Sequence, residues 1–112
     1  MSPIDSRAKG AQAEREVVNL LRDATGIHVV RTRTPGAASD VGDIAGLDNV
    51  LIEVKAHANI ARSISEGIPQ ARAAAERTRR DWPTVWVRRP GGRYVVVMEP
   101  DAWLSMWREA TA

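Results

Sequence analysis

The 112 residues read as an α/β domain, with elements in the order helix, three strands, helix, two strands, helix. Three stretches carry that reading. Between Arg7 and Ala24, apolar residues recur every three or four positions, the period of a helix with one buried face. Val50-Leu51-Ile52-Glu53-Val54-Lys55 is dominated by Val, Leu and Ile, which predicts a strand buried on at least one face. Thr84–Arg88 and Arg93–Met98 flank Arg89-Pro90-Gly91-Gly92, a turn composition that predicts a hairpin.

The first helix presents Ala13, Val17, Leu20, Leu21 and Ala24 as its apolar stripe and ends at Thr25-Gly26, with Gly26 as a left-handed cap. Met1–Ser6 is expected to be disordered. Glu14 lies about 40° around the helix from Val18 and about 60° from Val17, so it borders the stripe. It reads either as a helix-start acid favoured by the macrodipole or as a functional carboxylate. Glu16 points elsewhere, as a solvated charge. Ile27–Arg33 is a strand, followed by a loop at Thr34–Ser39. Arg31 and Arg33 share a face leading into that loop, serving solubility or gripping phosphate. His28 fills a strand position, with no partner at metal-ligand spacing.

The central strand sets a problem of placing charge. Period-two geometry puts Glu53 and Lys55 on one face with Leu51, and Val50, Ile52 and Val54 on the other. If Asp43–Leu47 and Asn49–Lys55 form a hairpin centred on Asp48, Asp43 faces Glu53 at about 4.5–5.5 Å between Cβ atoms. A two-residue loop would turn Glu53 away, so the reading depends on register. Two carboxylates that close repel unless a cation lies between them, and oxygen-only ligands suit Mg²⁺ or Mn²⁺. Lys55 lies one pleat along, within reach of a phosphate or an attacking water. Asp40, three residues from Asp43, faces the other way and is left to the strand entry.

Ala56–Arg62 is ambiguous. A second helix is expected from Glu66 to Arg80, with Ser65 as N-cap and Pro69 in the first turn. Ala71, Ala74 and Ala75 form its sheet-facing side. Arg72, Arg77, Arg79 and Arg80 lie on another face, for phosphate contact or solvation, and Gln70 is a surface residue or reaches the strand ends. Glu99-Pro100-Asp101 opens a last helix striped with Trp103, Leu104 and Trp107. The tryptophans read as core or as a self-association surface.

Composition narrows the classes. The length suits a single domain over residues 1–112. Net charge is +2, yet fourteen of the sixteen cations are Arg, leaving Lys9 and Lys55 as the only lysines. A Lys inside a strand then suggests a task that a guanidinium would not perform. With no cysteine, disulfides, thiol catalysis and Cys-based zinc sites are excluded. The longest apolar run, Tyr94–Met98, is too short to span a bilayer, and no signal-type stretch opens the chain, so a cytoplasmic protein without membrane partners is expected.

The element order and the Asp43, Glu53, Lys55 set resemble the PD-(D/E)XK nuclease core. Lys9-Gly10-Ala11-Gln12-Ala13-Glu14-Arg15-Glu16 resembles the opening of the archaeal Holliday-junction resolvases, and Val29-Val30-Arg31, Gly42-Asp43-Ile44 and Ile52-Glu53-Val54-Lys55 follow in that family's order. The resemblance covers the first half of the chain and implies a restriction-endonuclease-like core, a mixed five-stranded sheet flanked by helices. It further implies that Glu14, Asp43 and Glu53 surround Mg²⁺, with Mn²⁺ as a substitute and the Val54 carbonyl as a further ligand. Lys55 positions or activates water, and Lys9, Arg15, Arg31 and Arg33 contact DNA. The expected activity is cleavage of branched DNA by a homodimer in the cytoplasm, that of the host if the chain is viral. A nicking, mismatch or repair endonuclease and a non-catalytic DNA-binding subunit are the alternatives. Gly42 stands where the family has a Pro, and the Thr32–Val41 loop is longer than the family's.

Overall fold

A computed structural model describes residues 3–32 and 42–112. The chain runs α1 (Pro3–Thr25), β1 (Val30–Arg31), β2 (Ile44–Ala45), β3 (Val50–Lys55), α2 (Ile60–Thr78), β4 (Trp82–Arg89), a short 3₁₀ turn (Pro90–Gly92), β5 (Arg93–Val97) and α3 (Pro100–Ala110). The five strands form one mixed sheet in the order β1-β2-β3-β4-β5, the expected restriction-endonuclease-like core. Only β3 and β4 are parallel, and α2 is the crossover between them. None of the described helices is long and apolar enough to cross a membrane.

Alternation along β3 divides the interior in two. Ile52 and Val54 turn toward α1, packing with Ala13, Val17, Val18, Leu21, Val29 and Ile44. Leu51 turns the other way, onto Ala71, Ala74 and Ala75 of α2 and Val85 and Val87 of β4. The alanine face lets α2 lie close to the sheet, and Gly67 is the closest point. A Cβ there would fall 2.6 Å from Val85 Cγ1 and 3.4 Å from Lys55 Cγ, so only glycine leaves room for both neighbours.

Several boundaries differ from the periodicity. The α1 helix starts at Pro3, not Arg7, and its buried stripe is Ala13, Val17, Val18 and Leu21, with Leu20 exposed. The stripe is thereby rotated toward Glu14, which comes to lie near its centre at 100° per residue. The α2 helix starts at Ile60, where Asn59 is the N-cap accepting from Arg62 N–H at 3.1 Å; Ser65 is not the cap. Pro69 therefore sits inside the helix, on its exposed side, where water can serve the carbonyl left without a partner. Arg79, in the left-handed conformation, closes α2 by donating its N–H back to the helix.

The tryptophans divide. Trp86 packs against the α1-side core, and Trp82 donates its indole N–H to Ser105 of α3 at 3.1 Å. Trp103 and Trp107 are half-exposed, alongside Leu104, Val95 and Val96.

Candidate active site

The β2–β3 register pairs Ile44 with Ile52, the register in which Asp43 lies at the level of Glu53. Asp43 is pinned at three points. Its N–H donates to Ile52 O at 2.8 Å, its carbonyl accepts from Thr32 N–H at 3.1 Å, and its Oδ2 accepts from Val54 N–H at 2.7 Å. Gly42 permits this. It has φ 78° and bridges to Ile52, and a Cβ there would fall 2.7 Å from Ile52 O. A proline, confined to φ near −65°, has no place at such a position, which explains its absence before this acid.

Glu53 is buried, 9% exposed, and meets Asp43 side chain to side chain. Its carboxyl is pushed up to about 8, first by loss of hydration, then by the charge of Asp43 and by donating its own proton to Asp43. Lys55 opposes the shift, and Glu14 adds the smallest push. The four side chains therefore share one electrostatic neighbourhood, although Glu14 comes from α1 and the other three from the sheet. Glu14 is held by Arg31, whose Nε is 3.0 Å from its Oε1, and both side chains are largely shielded from solvent.

Lys55 lies where its stem passes over Gly67. It lines a cleft of about 590 Å³ shared with Lys9, His57, Asn59 and Arg62, at the C-terminal end of β3. Lys9 is exposed at that cleft, whereas Arg15 is simply exposed on α1. Arg31, expected to contact DNA, pairs through Nε with Glu14. Arg33 and Asp40 lie outside the described residues.

The donor set suits a hard cation in part. Asp43 and Glu53 offer carboxylate oxygens in contact, and the proton that Glu53 keeps is the one a cation would replace. Yet among the described residues no group of three or more His, Cys, Asp or Glu is placed to hold a metal ion. Glu14 is near enough to act on Glu53 through its charge, with Arg31 occupying one of its oxygens.

Sequence reasoning missed two clusters. Glu16, expected as a solvated charge, accepts from Arg88 Nε at 2.7 Å and from the Tyr94 hydroxyl at 2.6 Å, tying α1 to the β4–β5 hairpin. These contacts, first that from Arg88, hold Glu16 down to about 2, while burial and Glu16 raise the Tyr94 phenol. No local signal marks such a tie. His57, two residues beyond Lys55, lies 2.8 Å through Nε2 from Glu66 Oε2, whose other oxygen accepts from Arg62 at 2.9 Å. His57 lies past the end of β3, beyond the reach of the strand's period, so no periodic signal marks it. Arg72, on the face left open between phosphate contact and solvation, is bound to Glu99 at 2.8 Å and Asp101 at 3.3 Å.

Comparison with known proteins agrees with this geometry at the level of the superfamily. No curated protein matches the chain. Residues 5–110 match the model of a family described as phage putative PDDEXK endonuclease. Nearly the whole chain is covered, helices, sheet and acidic pair included, so the protein belongs to that PD-(D/E)XK family.

Proposed function

We propose that the protein is a divalent-metal-dependent DNA endonuclease that prefers branched duplexes, four-way junctions above all. The observation that carries the reading is the buried Glu53 in contact with Asp43, on the strand whose Lys55 lines a basic cleft. Asp43 and Glu53 would hold Mg²⁺ or Mn²⁺, with Glu14 as a further carboxylate. A divalent ion at such carboxylates lowers the pKa of a bound water and offsets charge on the phosphate. Asp43 stays fixed because Val54 N–H and the Ile52 carbonyl hold it from both ends. Lys55, a three-proton donor, steadies the attacking water or a phosphate oxygen. Water adds to phosphorus, one P–O ester bond breaks, and the leaving oxygen takes up a proton.

Junction preference rests on the likeness of the first half of the chain to archaeal Holliday-junction resolvases. Paired cuts across a four-way junction call for a twofold assembly. The half-exposed Trp103 and Trp107, beside the open edge strand β5, are the surface that would build it.

Cleavage of a synthetic four-way junction, a nicked or mismatched duplex and a linear duplex, with Mg²⁺, Mn²⁺ or EDTA, tests the reading. Metal-dependent cutting, greatest on the junction and reduced at least a hundredfold by Asp43→Asn and by Lys55→Ala, is the expected result, in keeping with the roughly 10²–10³-fold cost of losing one charge-stabilising group. Undiminished cutting by Asp43→Asn would exclude this centre. Better cutting of nicked or mismatched duplex would move the protein to a repair-type role.

A further inference from the structure

The cleft at Lys55 does not end there. A second cavity of about 280 Å³ shares Lys9, Ala56, His57 and Ala58 with it and continues to Arg88, Arg89 and Pro90 at the β4–β5 turn. The two together form one channel between the first turns of α1, the start of α2 and the hairpin tip. Among the described residues its charged lining is Lys9, Lys55, Arg62, Arg88 and Arg89, with no Asp or Glu.

Two of these cations are held in place. Arg62 is bound by Glu66 and Arg88 by Glu16, which fixes the walls. Lys9 and Arg89 form no ion pair with a described residue. With Arg62 and Arg88 neutralised by those carboxylates, Lys9 and Arg89 supply the excess positive charge that low-dielectric walls focus on an entering anion. Lys55 pairs with Val87, so Arg89 lies two residues further along β4, about 6–7 Å on.

The lining also says which form of nucleic acid fits. No Trp, Tyr or Phe faces the channel, and Trp103 and Trp107 lie on α3, which contributes nothing to it. Single strands are gripped by stacking unpaired bases on aromatic side chains, and no such platform is present. A duplex, whose bases stay stacked inside, presents only phosphates and needs only cations.

We infer that this channel is a backbone track for duplex DNA, running from Lys55 past Lys9 and His57 to Arg89. Phosphates beyond the scissile one are held there, outside the Asp43–Glu53 centre. The inference rests on the nuclease reading for the identity of the polymer, but its test does not depend on cleavage.

The experiment is fluorescence anisotropy in EDTA with a labelled duplex and a single strand of equal length, over a series of salt concentrations. The proteins are wild type, Lys9→Ala, Arg89→Ala, the double variant, and Arg108→Ala on α3 as a control for loss of charge elsewhere. Each channel contact to B-DNA contributes about 0.9 to the slope of log affinity against log salt. Each single variant should flatten the slope by about that much and the double variant by about twice that, with at least tenfold weaker duplex binding at low salt. Arg108→Ala should match wild type. Circular dichroism melting establishes that each variant is folded.

Unchanged affinity and slope in folded Lys9→Ala and Arg89→Ala would overturn the track, and so would equal losses in Arg108→Ala. Tighter binding of the single strand, with the same residues responsible, would overturn its assignment to duplex. Absence of cleavage with any divalent ion, alongside the expected binding losses, would leave the track standing and remove the nuclease reading.

Discussion

Replacing Glu53 by Gln tests the Asp43–Glu53 pair without removing a hydrogen-bonding group. In the folded chain the Glu53 carboxyl is raised to about 8, against 4.5 for an unperturbed carboxyl. Between those values the folded chain keeps a proton that the unfolded chain has released. Stability is therefore greatest in this respect below the lower value and falls as pH rises through the window, by up to about 1.4 kcal/mol per unit. From about pH 5.5 to about pH 8 the loss is roughly 3 kcal/mol, a substantial part of the 5–15 kcal/mol that holds a typical domain together. The Glu53→Gln chain cannot ionise there and lacks this slope. Urea unfolding of both proteins in EDTA, followed by circular dichroism across that range, isolates the effect, because every other titrating group is common to both. The variant should gain roughly 3 kcal/mol on wild type over the window while losing cleavage altogether. Stability curves that run parallel across the range would refute the protonated pair.

Three other outcomes follow from the packing and the surface. Gly67→Ala forces a Cβ to within 2.6 Å of Val85 Cγ1, and the overpacked α2–β4 contact should cost about 1–3 kcal/mol, read by thermal melting; an unchanged midpoint would contradict the close approach. Glu16→Gln removes a carboxylate held down to about 2 by Arg88 and Tyr94. Wild-type stability from this group, present above its unfolded value near 4.5, is lost as pH falls toward about 2. The surface position of the pair limits the loss to about 1 kcal/mol, and acid unfolding at an identical pH in both chains would dismiss the tie. Under the proposed twofold assembly, wild type should run as a dimer in light scattering and Trp103→Ser and Trp107→Ser as monomers; a mass unaffected by both would remove α3 as the self-association face.

How far the sequence could be read depended on the range of the interaction. Alternation along β3 is a property of six consecutive residues, so the common face of Leu51, Glu53 and Lys55 was legible. The level of Asp43 with Glu53 needed only the size of one turn. Helix limits were less legible, because caps act from outside the periodic pattern. Asn59, in a stretch without clear period, starts α2 a turn and a half before Ser65, and Pro69 suggested a first turn it does not occupy. The α1 stripe was misjudged at Leu20 and Ala24, both exposed, for a related reason. Leu20 fits the period as well as Val18 does, and only the seat of the helix on the sheet selects Val18.

What the residues alone determined, then, is the order of elements, the faces of the central strand and the kind of chemistry its acids and amine suit. The folded chain decided which charges meet. Glu14 reaches the neighbourhood of Glu53 from another layer, Arg31 turns inward to it, and Glu16 closes on Arg88 and Tyr94 more than seventy residues away. It also decided that Trp86 is packed inside and Trp103 is not. Such pairings join segments with no shared local pattern, and their energies depend on burial and distance, which exist only once helices and sheet are stacked.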